Sequence, residues 1–151
     1  MSGRLEALWS KRAHRGKMDP LMDVELIVGR GVAGSVGRSS RRQVTLIEQE
    51  VWHRVQDELG AEIDPAARRA NLMLSGIALQ ETRGRLLHVG EAVLKIGGHT
   101  TPCERMDEAH PGLQEALRAN WGGGAFAQVI VGGMIRIGDA VRWESPASSS
   151  G

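Results

Sequence analysis

Short apolar runs bounded by glycine and polar residues set the pattern of this chain. Strand-like runs occupy Arg4 to Trp9, Val24 to Val28, Gln43 to Ile47, Leu72 to Leu74, Leu86 to Val89, Ala92 to Ile96, Gln128 to Val131, Met134 to Ile137 and Ala140 to Trp143. Several are separated by two turn-type residues, Gly90-Glu91, Gly132-Gly133 and Gly138-Asp139, which read as hairpins. So many short strands with few helices predict a mainly β fold, a closed or nearly closed β-barrel, because closure removes the edges that an open sheet must protect. Two segments echo each other around Gly90-Glu91-Ala92-Val93 and Gly138-Asp139-Ala140-Val141, one hairpin design used twice.

Three stretches carry helical spacing instead. Glu48 to Leu59 sets Val51, Trp52, Val55 and Leu59 on one stripe and stops at Gly60. Asp64-Pro65 opens a single turn that runs to Arg69, with an N-cap residue followed by proline at the first helical position. Gly112 to Trp121 places Leu113, Ala116, Leu117 and Trp121 on one face and ends at Gly122-Gly123-Gly124. The tail, residues 145–151, has nothing apolar to bury and reads as disordered, leaving residues 1–144 as one domain.

Composition agrees with a turn-rich barrel: 20 glycines and five aromatic residues, four Trp and one Phe, in 151. Lys and Arg total 19 against 18 for Asp and Glu, a net charge of +1, so no global field recruits nucleic acid or an anionic membrane, and any anion site must be local. The scarcity of aromatic residues further disfavours a single-strand nucleic-acid platform. No apolar run approaches the roughly 20 residues needed to span a bilayer, and the start has no signal-peptide core, so the cytoplasm is the expected location.

Candidate chemistry begins with Cys103, the single cysteine, which excludes an intrachain disulfide and a cysteine-rich zinc site. It sits in Thr100-Thr101-Pro102-Cys103-Glu104-Arg105, a polar loop where Pro102 restricts the backbone and His99 and Arg105 could favour a thiolate. The alternative is a small buried hydrophobe. Arginines gather in two places, Arg38, Arg41 and Arg42 ahead of Gln43, and Arg68 and Arg69 ahead of Asn71. Each cluster is either a solvated surface or, if the two converge, a phosphate clamp made of paired guanidinium hydrogen bonds. The five histidines form no His-x-x-x-His pair, and the glycine-rich pieces match neither a P-loop nor a dinucleotide fingerprint, so no zinc or nucleotide site is expected. No nucleophile elbow or Ser-His-Asp order suggests a hydrolase. A thiolate in this setting can ligate a soft metal such as molybdenum or carry sulfur as a persulfide.

An ordered set of motifs resembles the MOSC domain, named for the C-terminal domain of molybdenum cofactor sulfurase. It runs through Val44-Thr45-Leu46-Ile47 and Glu50, Arg69-Ala70-Asn71-Leu72, Ser75-Gly76-Ile77-Ala78-Leu79, Gly84 and Leu87-His88-Val89-Gly90-Glu91-Ala92. It continues through Pro102-Cys103, Ala127-Gln128-Val129, Gly132-Gly133-Met134-Ile135 and Ile137-Gly138-Asp139-Ala140-Val141, covering about residues 31–141. The resemblance implies a β-barrel whose cysteine, here Cys103, coordinates the molybdenum of a molybdopterin cofactor or accepts sulfur for transfer. It implies cofactor contacts at Arg69 and Asn71, with Arg68 beside them, and at Arg41, Arg42, Gln43 and Thr101.

One motif departs: the family often reads Gly-Ile/Val-x-Gly-Asp followed by a histidine, whereas this chain has Gly31-Val32-Ala33-Gly34-Ser35 and no histidine until His53. That change bears on cofactor or substrate contacts more than on fold. The function so implied is molybdenum-cofactor binding with Cys103 as metal ligand or persulfide carrier; the alternatives are a molybdenum-dependent reductase of N-hydroxylated compounds and a non-catalytic interaction or nucleic-acid-binding barrel. As a stand-alone domain it would draw on a separate electron-donor protein or a pyridoxal-phosphate-type, cysteine-desulfurase-like sulfur donor, without a membrane partner, and a homodimer stays open.

Overall fold

The computed structural model describes residues 2–11, 18–35, 42–102, 105–118 and 121–144. Arg38, Arg41, Cys103 and the tail 145–151 lie outside the described residues. Eleven strands form two sheets: β1 (Ser2–Lys11), β2 (Met18–Leu21), β3 (Asp23–Ile27), β4 (Gly31–Val32), β5 (Val44–Glu48), β6 (Leu72–Ser75), β7 (Leu86–Val89), β8 (Ala92–His99), β9 (Ala125–Val131), β10 (Gly133–Arg136) and β11 (Ala140–Trp143). Seven of them close a barrel in the order β11-β7-β8-β9-β5-β6-β1, sealed where β1 meets β11 through Ser2↔Arg142, Gly3↔Val141 and Arg4↔Ala140. All of its neighbours run antiparallel except β5 and β6. That pair needs a crossover, which α1 (Gln49–Leu59) and a 3-10 turn (Pro65–Arg68) supply.

The strand-like runs read from the sequence fill the barrel. Leu5, Leu46, Leu72, Leu74, Leu87, Leu94, Ile96 and Val141 are buried in one cluster at its centre. A second cluster joins α1 to the short helices α2 (Arg105–Ala109) and α3 (Leu113–Ala116), with Trp52, Val55, Met106, Leu113 and Leu117 buried. The expected α1 stripe is borne out, and the indole nitrogen of Trp52 donates to Ile63 O at 2.8 Å. The helix expected over Gly112 to Trp121 is much shorter, because it closes at Ala116 and Trp121 holds a left-handed φ of 61° that no α-helix accepts. Strands β2 and β4 were not expected: β2 contains Pro20, tolerated because β2 pairs only with β1 and so lies at an edge, and β4 is two residues long.

Of the three expected hairpins, only Gly90-Glu91 joins paired strands, β7 and β8. Gly132-Gly133 and Gly138-Asp139 are crossings instead. Strand β9 is already flanked by β8 and β5, and β11 by β7 and β1, so β10 has no place beside either and pairs with β3. The echoed acids then share a task. Glu91 Oε2 accepts the amide of Met134 at 3.1 Å and Asp139 Oδ2 accepts the amide of Arg136 at 2.9 Å, so both carboxylates cap β10.

A second acidic pair braces the segment after β6. Glu50 accepts the Gly76 amide at 2.7 Å, and Glu48 accepts the Leu79 amide at 3.4 Å. Burial pushes the Glu48 carboxyl above its ordinary 4.5, opposed by the Leu79 hydrogen bond, with Glu50 adding a raising and Arg54 a lowering influence.

Two outcomes follow from these carboxylates. Because the folded state holds the Glu48 proton more tightly than the unfolded chain, its contribution is present below about 4.5 and is lost as pH rises through the raised folded value. Glu48→Gln, which keeps an acceptor for Leu79, should be more stable than the native chain at neutral pH and lose that decline in urea midpoints measured across the acid range. Glu91→Ala should speed hydrogen exchange of the Met134 amide, and Asp139→Ala that of Arg136, each by about fivefold for a lost hydrogen bond near 1 kcal/mol, resolved amide by amide by NMR.

Candidate functional site

Strand β8 leaves the barrel at His99 and β9 enters it at Ala125, and these two residues are register partners. Between them, the segment Thr100–Pro102 lies against the turn Trp121–Gly124. The Thr100 amide donates to Gly124 O at 2.9 Å, and the buried Thr100 hydroxyl donates to Gly123 O at 2.6 Å. Arg68, at the end of the 3-10 turn, completes a three-way junction: its Nε donates to Gly123 O at 2.8 Å and its Nη2 to Thr100 Oγ1 at 2.6 Å. Glycine is required at 123, since a Cβ there would collide with the Thr100 carbonyl and lie 3.0 Å from Pro102 Cδ. Gln114 Nε2 donates to Pro102 O at 3.3 Å, tying the far end of the segment to α3. Pro102, the residue before Cys103, is therefore fixed from both sides.

The other expected contacts separate into framework and surface. Asn71 belongs to the framework: its Oδ1 accepts from Thr45 N at 3.1 Å and Thr45 Oγ1 at 3.2 Å, and its Nδ2 donates to Trp9 O at 3.3 Å. It thereby joins β1, β5 and β6. Gln43 is buried, its Oε1 accepting the Val129 amide at 2.9 Å across to β9. Ser35, at the motif departure, is also buried and accepts the Lys11 amide at 2.9 Å. Arg69 has a φ of 62° as the C-cap of the 3-10 turn, with its Nη2 enclosed by protein. Thr101 is exposed beside the buried Thr100.

Arg42 is exposed and places its guanidinium carbon 4.9 Å from the centre of the Phe126 ring, a cation–π contact. That ring fits over bare backbone, 2.5 Å from where a Cβ of Gly97 would stand and 3.1 Å from that of Gly98. Arg83 Nη2 is 3.4 Å from the same Gly98 position, so two arginines flank one ring. Beside them a cleft of about 530 Å³ is lined by Glu81, Arg83, His99 and Trp121. None of those four except His99 drew notice in the sequence. Trp121 was hidden in a helical stripe, and Arg83 carries no local signal beyond a turn.

The arrangement can hold an anion and a flat group at the mouth of the barrel while presenting a braced loop that leads to a thiol. Among the described residues, no group of three or more His, Cys, Asp or Glu side chains is placed to bind a metal ion, so a metal here would depend on few protein ligands. No described helix is long and apolar enough to cross a membrane.

Fold and site together define a small seven-stranded β-barrel protein with an arginine-flanked mouth. The chain belongs to the MOSC family: the model described as MOSC domain matches residues 27–142. No curated protein is a match at the sequence level. In fold it is similar to the YuaD protein from Bacillus subtilis, with 19% identity, TM-score 0.81 and coverage of 93% of this chain and 94% of that one. It is also similar to YiiM from Geobacillus stearothermophilus, with 14% identity, TM-score 0.75 and coverage of 95% and 75%. YiiM from Escherichia coli aligns at 15% identity, TM-score 0.69 and coverage of 94% and 70%.

The Thr100 junction makes a direct prediction. Thr100→Val removes a buried hydroxyl that both accepts and donates, and should cost about 1–3 kcal/mol in urea unfolding. The exposed neighbour changed in the same way, Thr101→Val, should stay within about 0.5 kcal/mol of the native chain.

Proposed function

We propose that this protein binds a molybdenum–pterin cofactor, with Cys103 as the protein ligand to the metal. The observation that carries the reading is the bracing of Thr100–Pro102, the segment that precedes Cys103 in the sequence, by Arg68, Gly123, Gly124 and Gln114. The donor set fits such a group in kind: a soft thiolate suits molybdenum, and guanidinium groups suit a phosphate. Arg42 and Arg69 are the residues that would hold the phosphate. Arg68, Asn71 and Gln43 act one step back, since their polar ends hold the loop and the strands, and Thr101 is exposed next to the loop anchor. Arg41, in the same run as Arg42, would extend the cationic rim.

When bound, the molybdenum centre supplies a site that takes an oxygen atom from a substrate, the chemistry needed to reduce an N-hydroxylated compound. The chain's own part is to orient the thiol through the braced loop, to neutralise the phosphate with guanidinium charge, and to keep the pocket shaped by the Gly97–Gly98 backbone under Phe126. Electrons would come from a separate donor protein. In the sulfur-carrier version the same loop would present the Cys103 thiolate to a cysteine-desulfurase-like donor.

The deciding experiment measures molybdenum and pterin per chain after production in a cofactor-replete host, for the native protein and Cys103→Ala. The expected result is near-stoichiometric cofactor in the native chain and a drop of at least about tenfold in the variant, since losing even a partner that orients a metal ligand costs about 10–100-fold in affinity. A native chain without molybdenum overturns the reading; a persulfide on Cys103 in that sample would establish the carrier version in its place.

A further inference from the structure

Three residues other than glycine hold a left-handed φ among the described residues: Arg69 at 62°, Glu81 at 60° and Trp121 at 61°. Such conformations persist where the surroundings over-determine them, and they gather at functional sites. Two of the three line the 530 Å³ cleft, a size typical of small-molecule sites. Trp121 is held by its turn, where Gly124 N donates to Trp121 O at 2.9 Å, and its ring stands 5.4 Å from that of His99 at a tilt of 39°. The two rings make one wall. Arg83 and Glu81 are exposed at the same cleft and, among the described residues, neither makes a side-chain hydrogen bond or ion pair.

We propose that this cleft binds a small flat aromatic or heteroaromatic ring carrying one anionic group and at least one N–H donor, as the substrate subsite of the centre described above. The ring lies against Trp121 and His99, the anionic group pairs with the Arg83 guanidinium, and Glu81 accepts from the N–H. The charges of Arg83 and Glu81 cancel, so the cleft selects a ligand with both ends and gives no advantage to a polyanion. Its place supports a substrate role. His99 precedes Thr100, and Trp121 shares a turn with Gly123, so the cleft wall is continuous with the junction that braces the approach to Cys103. The role of subsite rests on the cofactor reading; the binding itself does not.

The test titrates 3- and 4-aminobenzoate, each with ring, carboxylate and amino group, into the full chain and follows the Trp121 and His99 signals by NMR. Aniline, lacking the anion, and benzoate, lacking the donor, are the controls. At least one aminobenzoate should bind in about the millimolar range expected of so small a ligand, with aniline and benzoate each about tenfold weaker. Arg83→Gln, at an exposed side chain without a hydrogen bond or ion pair among the described residues, should weaken the aminobenzoate about tenfold and leave aniline unchanged; Glu81→Gln should weaken it while leaving benzoate unchanged. No aminobenzoate binding, or equal affinity in Arg83→Gln, overturns the proposal. Molybdenum is assayed on the same samples. Binding through Arg83 in a chain without molybdenum keeps the cleft's specificity and removes its role beside a metal; molybdenum without binding removes the cleft proposal alone.

Discussion

Everything in this molecule depends on the seam between β1 and β11. Ser2, Gly3 and Arg4 pair with Arg142, Val141 and Ala140, and without those three rungs the seven strands would be an open sheet with unpaired edges at β11 and at the start of β1. Closure turns the alternating leucines inward and gives the barrel a defined mouth. The crossover from β5 to β6 then sets Arg68 beside the chain segment that leaves β8. A site assembled from residues 42, 68, 83, 99 and 121 exists only because the seam fixes which strand ends are neighbours.

At the mouth, hydrogen bonding decides more than net charge. The guanidinium of Arg68 donates to a carbonyl and a hydroxyl, and the amide of Asn71 spans three strands. These groups give up direct contact with a ligand and make the geometry of others reproducible. Exposed cations remain at Arg42 and Arg83, set around a ring that two glycines admit. The mouth thus separates residues that shape from residues that can bind.

The barrel was legible because a short apolar run such as Leu86–Val89, with Gly84 and Gly90 in the turns at its ends, has one reading. Its connections were not. Gly132-Gly133 and Gly138-Asp139 announce a change of direction, but whether the next strand lies alongside depends on neighbours already occupying both flanks of β9 and β11, which are distant in sequence. The family pattern was legible for the same reason as the barrel, through ordered turns and strand residues. The site was legible only in part: Arg68 stood out as a guanidinium, yet it donates to a backbone carbonyl and a threonine that no side-chain pattern marks. Trp121 fits a helical stripe perfectly well on paper, and only its left-handed backbone puts it in a cleft wall.

The carboxylates of Glu91 and Asp139 have a consequence for recognition. By occupying the outward amides of β10 they deny a visiting polypeptide the backbone donors it would need to add itself as a further strand there. Any protein that meets this barrel on that side must be read through side chains, residue by residue, and cannot dock by extending the sheet.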